Sequence, residues 1–536
     1  MRRSFKVGIY PFIFFVVAGL FFIQATQPQD GRKKRKVDIE NADLYTYDAA
    51  IIANAQRLLG NVRFRHNQAL MFCDSAYSYN DSNRFDAFGH VHIIQGDTLH
   101  LYGDKMFYNG DTRMARFVHN VKLIDKSITL TTEAMDFDLG SNVGYYNHNG
   151  KIVDTTNVLT SVIGRYYSNE NLMFFKDSVV LTNKDFVLRA DTLKYNSEIE
   201  KAFIVGPTTI KGTNKDGVLY SERGWYDTRK NIAELYRSSK ITNKSQVLEG
   251  DTLFYDRKSG NGRGRHRVTL TDTANHVVIK GKFGIYNENS KLAFVTDSAM
   301  FIQYGKKDTL YMHADTLRTK PDTATTKQKD GKYFLAFRNV RFHKKDLQGR
   351  CDSLSYRMID STMYMFYDPI IWSEKNQMTA EKIQLASKTP DPSIANLEGD
   401  AFIVMSEDSL LFNQISGKLI VGQIFNNKLR VADVNGNAQT LYYLRENNRN
   451  SGMNKLLSSK IKLHLTDNHI DSIRFYPKPE GRTIPLLEIK PEDKKLDGFI
   501  WRDTERPRNA NDLYPIDEKR KKNAGSVKKT ASSNLN

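Results

Sequence analysis

Four groups of residues in this 536-residue chain have types and spacings that invite a chemical reading. Ser259-Gly260-Asn261-Gly262-Arg263-Gly264 holds a G-x-G-x-G run, the kind of backbone that cradles a phosphate. That chemistry needs a strand before the glycines and a helix after them. The flanking residues supply no helix, so the run reads as a turn. His90 and His92 alternate along one extended segment, with His100 and His119 nearby. Such a set has the spacing to hold zinc; solvent-facing strand histidines are the plainer reading. Asp191, Asp251 and Asp352 each precede a Ser or Thr, but a calcium loop concentrates several acids at close spacing. Asp and Thr at the start of a strand would instead bind turn N–H groups. Cys73 and Cys351 are the two cysteines, too few for a disulfide scaffold or a Cys-rich metal centre. No Ser-His-Asp, Cys-His or paired-carboxylate arrangement is present. The expectation is a protein that is not an enzyme and takes no cofactor.

The elements that carry these residues are short runs rich in Val, Ile, Tyr, Phe and Thr, separated by Asn, Asp, Gly, Lys and Ser, which predict strands. One phrase recurs inside them: a small residue, an acid, Ser or Thr, Leu, any residue, Tyr. It stands at Ala190–Tyr195, Gly250–Tyr255 and Cys351–Tyr356, with looser copies between. The closing positions Tyr79, Tyr108, Phe137, Tyr167, Tyr195, Tyr226, Tyr255 and Tyr286 follow one another at 28 to 31 residues. A constant period marks a repeat protein rather than several unrelated domains. Residues i and i+2 of a strand share a face, so Leu193 with Tyr195, Leu253 with Tyr255 and Leu354 with Tyr356 point together, into an apolar interior. Each period holds two strands broken near the middle, as at Gly206-Pro207, which predicts that every strand bends and serves two facing sheets. Cys73 and Cys351 fill the small-residue position and lie about nine repeats apart. At ~4.8 Å per strand they are too distant to pair.

The ends differ from the middle. A basic start (Arg2, Arg3, Lys6) and an apolar run from Val7 to Ile23 predict a signal peptide or N-terminal membrane anchor over 1–25. A basic linker follows over 26–37; its Arg32–Lys36 cluster would favour the cytoplasmic side. Repeats are expected over 38–445, a C-terminal hairpin and extension over 446–515, and a disordered basic tail over 516–536. With 79 basic and 61 acidic residues the net charge is +18. That suits an anionic amphiphile or membrane surface; no nucleic-acid-binding module accompanies it. A mean hydropathy of −0.53 excludes a polytopic membrane protein.

The starts Gly60-Asn61-Val62, Gly89-His90-Val91, His119-Asn120-Val121 and Arg338-Asn339-Val340, read as strand openings, combine with the A-D-x-L-x-Y phrase. Over roughly 40–445 that combination resembles the OstA-like family of periplasmic lipopolysaccharide-transport proteins. The resemblance implies an all-β fold, an elongated β-jellyroll open along one edge, with an apolar groove for acyl chains. It also implies a function: binding lipopolysaccharide, or a related anionic envelope lipid, in the periplasm and passing it from inner to outer membrane. Partners would be other β-jellyroll components at either membrane, joined by strand addition. Leu193, Tyr195, Ala202, Tyr226, Leu253, Tyr255, Tyr286, Leu354 and Tyr356 would then line the groove. The alternative is an exported structural or adhesive β-repeat protein whose interior is a filled core. Two departures stand out: the chain is long for this family, and Leu496–Pro515 (LDGFIWRDTERPRNANDLYP) has no counterpart there.

Overall fold

A computed structural model describes residues 36–514, apart from 48–53, 80, 214–216, 291, 306–307, 323–331, 388–391, 407–410, 426–427, 447–448 and 467–468. The expected signal or anchor (1–25), most of the basic linker and the basic tail (516–536) lie outside the described residues. So do the centre of the polar loop at Lys320–Lys332 and the turn at Asp467-Asn468.

All 36 described strands join one sheet, and neighbouring strands pair antiparallel from Asp38–Asn41 to Glu480–Pro485. The chain is thus an all-β meander in which each long strand pairs with the long strand, or the two half-strands, before and after it. The sheet does not stop at residue 445. Arg449–Thr466 pairs with both His469–Tyr476 and Glu480–Pro485, so the non-sheet extension begins at Leu486.

The long strands share one irregularity. In Leu172–Thr182 against Phe186–Asn196, Lys176 pairs with Thr192 and Val179 with Ala190, leaving Asp177 and Ser178 opposite Asp191 alone. Two residues against one is a β-bulge, which bends and twists the strand. Both bulged residues are left-handed: His119-Asn120, Asp177-Ser178, Arg237-Ser238, His266-Arg267 and Arg338-Asn339 all have positive φ. The Gly60-Asn61 and Gly89-His90 pairs adopt the same conformation. The x-Asn-Val triplets are therefore not strand openings; they are mid-strand corners at which each strand turns from one half-sheet to the other. The acid of the repeated phrase sits at the same corner rather than at a strand's start. Its partner is a bulge side chain: Asp74 holds His90 at 2.8 Å, Asp104 accepts from Asn120 at 2.7 Å, and Asp315 accepts from Asn339 at 3.1 Å.

Turn chemistry falls one residue after the closing aromatic. Asn109, Asp138, Asn196 and Asp256 follow Tyr108, Phe137, Tyr195 and Tyr255, and each side chain accepts N–H groups two and three residues ahead. These are Asx-type turns, built from the short side chains that favour them. The G-x-G-x-G run is only partly a turn. Gly260 occupies the turn with φ +69°, whereas Gly262 and Gly264 lie within the strand Asn261–Asp272.

The bent strands fold the sheet on itself around one continuous apolar interior, from Leu58 to Leu465. Stacking at ~4.8 Å per strand makes the body on the order of 100 Å long. Scattering from residues 38–514 is expected to give a radius of gyration well above the roughly 23 Å of a compact globule of that length.

Candidate functional site: the interior and its seam

The bulges close one long side of the folded sheet. Along the other side two rows of turns face each other, one from each half-sheet. One row contains His66, Gln95, Asp125, Asp154, Asp185 and Gln246; the other contains Tyr108, Asn142, Tyr166, Tyr195, Asn231 and Tyr286.

Polar side chains bridge these rows about once per repeat. The Tyr108 hydroxyl lies 2.6 Å from His66 Nδ1. Gln95 donates to Asn142 at 2.6 Å and to the Leu139 carbonyl at 2.8 Å. Tyr166 donates to Asp125 at 2.7 Å, and Tyr195 donates to Asp154 at 2.9 Å while accepting from Asn157 at 3.0 Å. Asn231 donates to Asp185 at 3.0 Å, and Tyr286 donates to Gln246. The seam is therefore latched by hydrogen bonds, which can open without breaking covalent structure. Farther along, the contact turns apolar, with the Phe301 and Phe334 rings 4.7 Å apart. A pocket of about 150 Å³ then opens among Leu347, Ile371, Met378, Leu385, Ile394 and Leu429.

Burial sets the protonation of the latches. It pushes the Tyr226 and Tyr286 hydroxyls up to about 12, and raises Tyr108, Tyr166 and Tyr195 well above the ordinary tyrosine value. A raised phenol favours the folded state while neutral, so this contribution is intact below the unfolded value near 10. It is lost as pH rises from there through about 12. Thermal melts are expected to be insensitive to tyrosine ionisation between pH 7 and 9 and to fall steeply above pH 10.

The residues named from the sequence as groove or core are placed as follows. Leu193, Ala202, Tyr226 and Leu253 have no accessible surface, Tyr195, Tyr255, Tyr286 and Leu354 are buried, and Tyr356 is half-buried against the same cluster. Two members of the periodic series face outward. Tyr79 is half-buried and bonds Asp86 at 3.1 Å, and Tyr167 packs edge-on to Phe174; Ser78 and Tyr166 are the buried neighbours. Tyr79 and Tyr167 keep the period, but strand alternation gives the inward position to the residue before each of them. The latch partners on the first row escaped sequence reading, although they recur at 29 to 31 residues from His66 through Asp185.

His90 is held by Asp74 at an exposed corner, and His92 lies 3.2 Å from His100 with its ring stacked on Tyr102. Among the described residues no group of three or more His, Cys, Asp or Glu is arranged to hold a metal. Cys73 and Cys351 are buried free thiols, each pushed up to about 12 by desolvation.

The C-terminal extension forms a strap on the outer face of one half-sheet. Leu496, Phe499 and Trp501 pack with Phe402, Val404, Phe412, Leu441 and Tyr443; Leu513 and Tyr514 pack with Met300, Ile302 and Tyr311. Polar ties pin it between these clusters. Gln377 donates to the Ile500 carbonyl at 2.7 Å and accepts from Arg502 N at 2.7 Å; Arg502 forks onto Asp368 at 2.7 and 2.9 Å.

Bent strands, a bulged corner and a latched seam around an apolar interior define an elongated β-jellyroll. Residues 34–191 match the family model for OstA-like protein, and residues 160–261 match that for the LptA/(LptD N-terminal domain) LPS transport protein. Over residues 34–261 the chain is therefore similar to the OstA-like and LptA/(LptD N-terminal domain) LPS transport families. No curated protein matches the chain.

Proposed function

We propose that this protein is a non-enzymatic periplasmic carrier that binds lipopolysaccharide, or a related anionic envelope lipid, and passes it from inner to outer membrane. The observation that carries this reading is one apolar interior running the length of the sheet, closed on one side by side-chain contacts alone, mostly hydrogen bonds. Leu193, Tyr195, Ala202, Tyr226, Leu253, Tyr255, Tyr286, Leu354 and Tyr356 are the side chains that acyl chains would touch. Export would use the apolar segment at 1–25, as signal or anchor. Partners would be other β-jellyrolls added at the two sheet ends, where edge strands leave unpaired backbone groups. At the first end Leu44, Tyr45 and Tyr47 are exposed on the edge strand Leu44–Tyr47.

Lipid extraction and mass spectrometry of the protein purified from its native envelope test the reading. Co-purified lipid A-type glycolipid is the expected result; a lipid-free protein from a lipid-rich envelope would overturn it. The near-complete burial of the inward residues favours a second reading, an exported structural β-repeat with a filled core. The same measurement separates the two.

A further inference from the structure

The latched interior is not uniform. In the half-sheet that carries the tyrosines, inward positions hold Ala233 and Leu235, then Leu253 and Tyr255 on the next strand. The two strands after these carry Gly262 and Gly264, and then Gly284 beside Tyr286. Three inward glycines on adjacent strands forfeit side-chain packing, and glycine inside a strand often marks where a ligand or another backbone approaches closely.

The exposures agree. Leu101, Phe117, Leu123 and Leu188 are 0% exposed, whereas Ile241, Leu270, Ile279 and Tyr286 are 7 to 8% exposed although they face the same interior. A cleft reaches inward here among Ile241, Leu248, Tyr255, Gly262, Leu270 and Tyr286. Its volume of about 10 Å³ admits at most one water. It is narrow because Leu248 and Val268 rest on the glycines. A Cβ on Gly262 would lie 3.1 Å from Leu248 Cδ2, and one on Gly264 would lie 3.0 Å from Val268 Cγ2.

We propose that this glycine-walled stretch between Ile241 and Glu288 is the lateral port at which one acyl chain of an anionic amphiphile enters the interior. The proposal rests on the carrier reading and locates its loading site. Leu248 and Val268 swing off the glycines, and the chain occupies the space they leave. The mouth is latched by Tyr286 to the neutral amide of Gln246, with Tyr255 held by Glu288 on its own row. Exposed Lys244 and Lys258 sit on turns at the two lips, which also carry Asp272 and Glu288.

The test uses the full chain with a photo-reactive phenylalanine analogue placed singly at Leu101, Phe117, Leu188, Leu270 or Ile279, exposed to hexa-acylated lipid A. Cross-linking at Leu270 and Ile279 is expected to exceed that at the other three at least fivefold at early times. Gly262→Val with Gly264→Val is expected to cut it at least tenfold, because the added side chains take the space that Leu248 and Val268 would vacate. Equal yields at all five positions would overturn the port and leave the carrier reading standing. No cross-link at any position would overturn both. If the valine variant fails to fold, the five-position profile in the otherwise native chain decides alone.

Discussion

Truncation after Pro485 is expected to make the protein self-associate. The strap buries Leu496 and Leu513 almost fully and covers Phe402, Val404, Leu441, Met300 and Ile302 on the outside of the sheet. Fully burying one such side chain contributes about 1.5–3 kcal/mol, so its loss removes several kcal/mol from the C-terminal strands. It also opens a contiguous apolar patch of the kind soluble monomers rarely expose. Sedimentation and hydrophobic-dye binding measure the two effects. A monomeric, dye-silent truncation would show that the strap is dispensable. Leu513→Ala alone should cost about 2–5 kcal/mol, read by denaturant unfolding.

The second large effect concerns the interior. Ala202 is wholly buried and pairs with Tyr195 on one side and Tyr226 on the other. Tyr195 is in turn the donor to Asp154. An indole at 202 has to displace one of these rings, so Ala202→Trp is expected to destabilise by about 1–3 kcal/mol through overpacking. It should also loosen the Tyr195 latch. An open groove at this position would instead accept the ring with no loss of stability while blocking cargo. Unfolding midpoint and lipid cross-linking, measured on the same variant, distinguish the two states of the interior.

Much of this molecule is legible from local chemistry. The alternation that places Leu193 and Tyr195 on one face needs only the pleat of a strand, and a period near thirty needs only counting. The Asx turns after Tyr108, Tyr195 and Tyr255 were equally available, because a short polar side chain closes a turn with its own neighbours. What escaped was everything that depends on strands distant in sequence. The x-Asn-Val triplets look like strand openings because Gly, Asn and His are common in turns. Only pairing with the next strand shows two residues opposite one, and hence a corner. Asp125, Asp154 and Asp185 read as ordinary turn acids. Their tyrosine and asparagine partners lie 41 to 46 residues away, brought near only when the bent sheet closes on itself.

Gly262 and Gly264 illustrate the limit most sharply. In the sequence they belong to a loop-like run, whereas in the sheet their absent side chains thin the wall of the interior. The strap is the extreme case. Residues 496–514 carry no repeat and no period, so their place is set by the apolar outer face they cover and the polar ties across it. The sequence by itself determined the strand type, the period and the inward stripe, because these arise from neighbours within a few residues. The corner, the latched seam, the port and the strap were decided by tertiary structure, because each is a contact between segments that the chain alone does not place together.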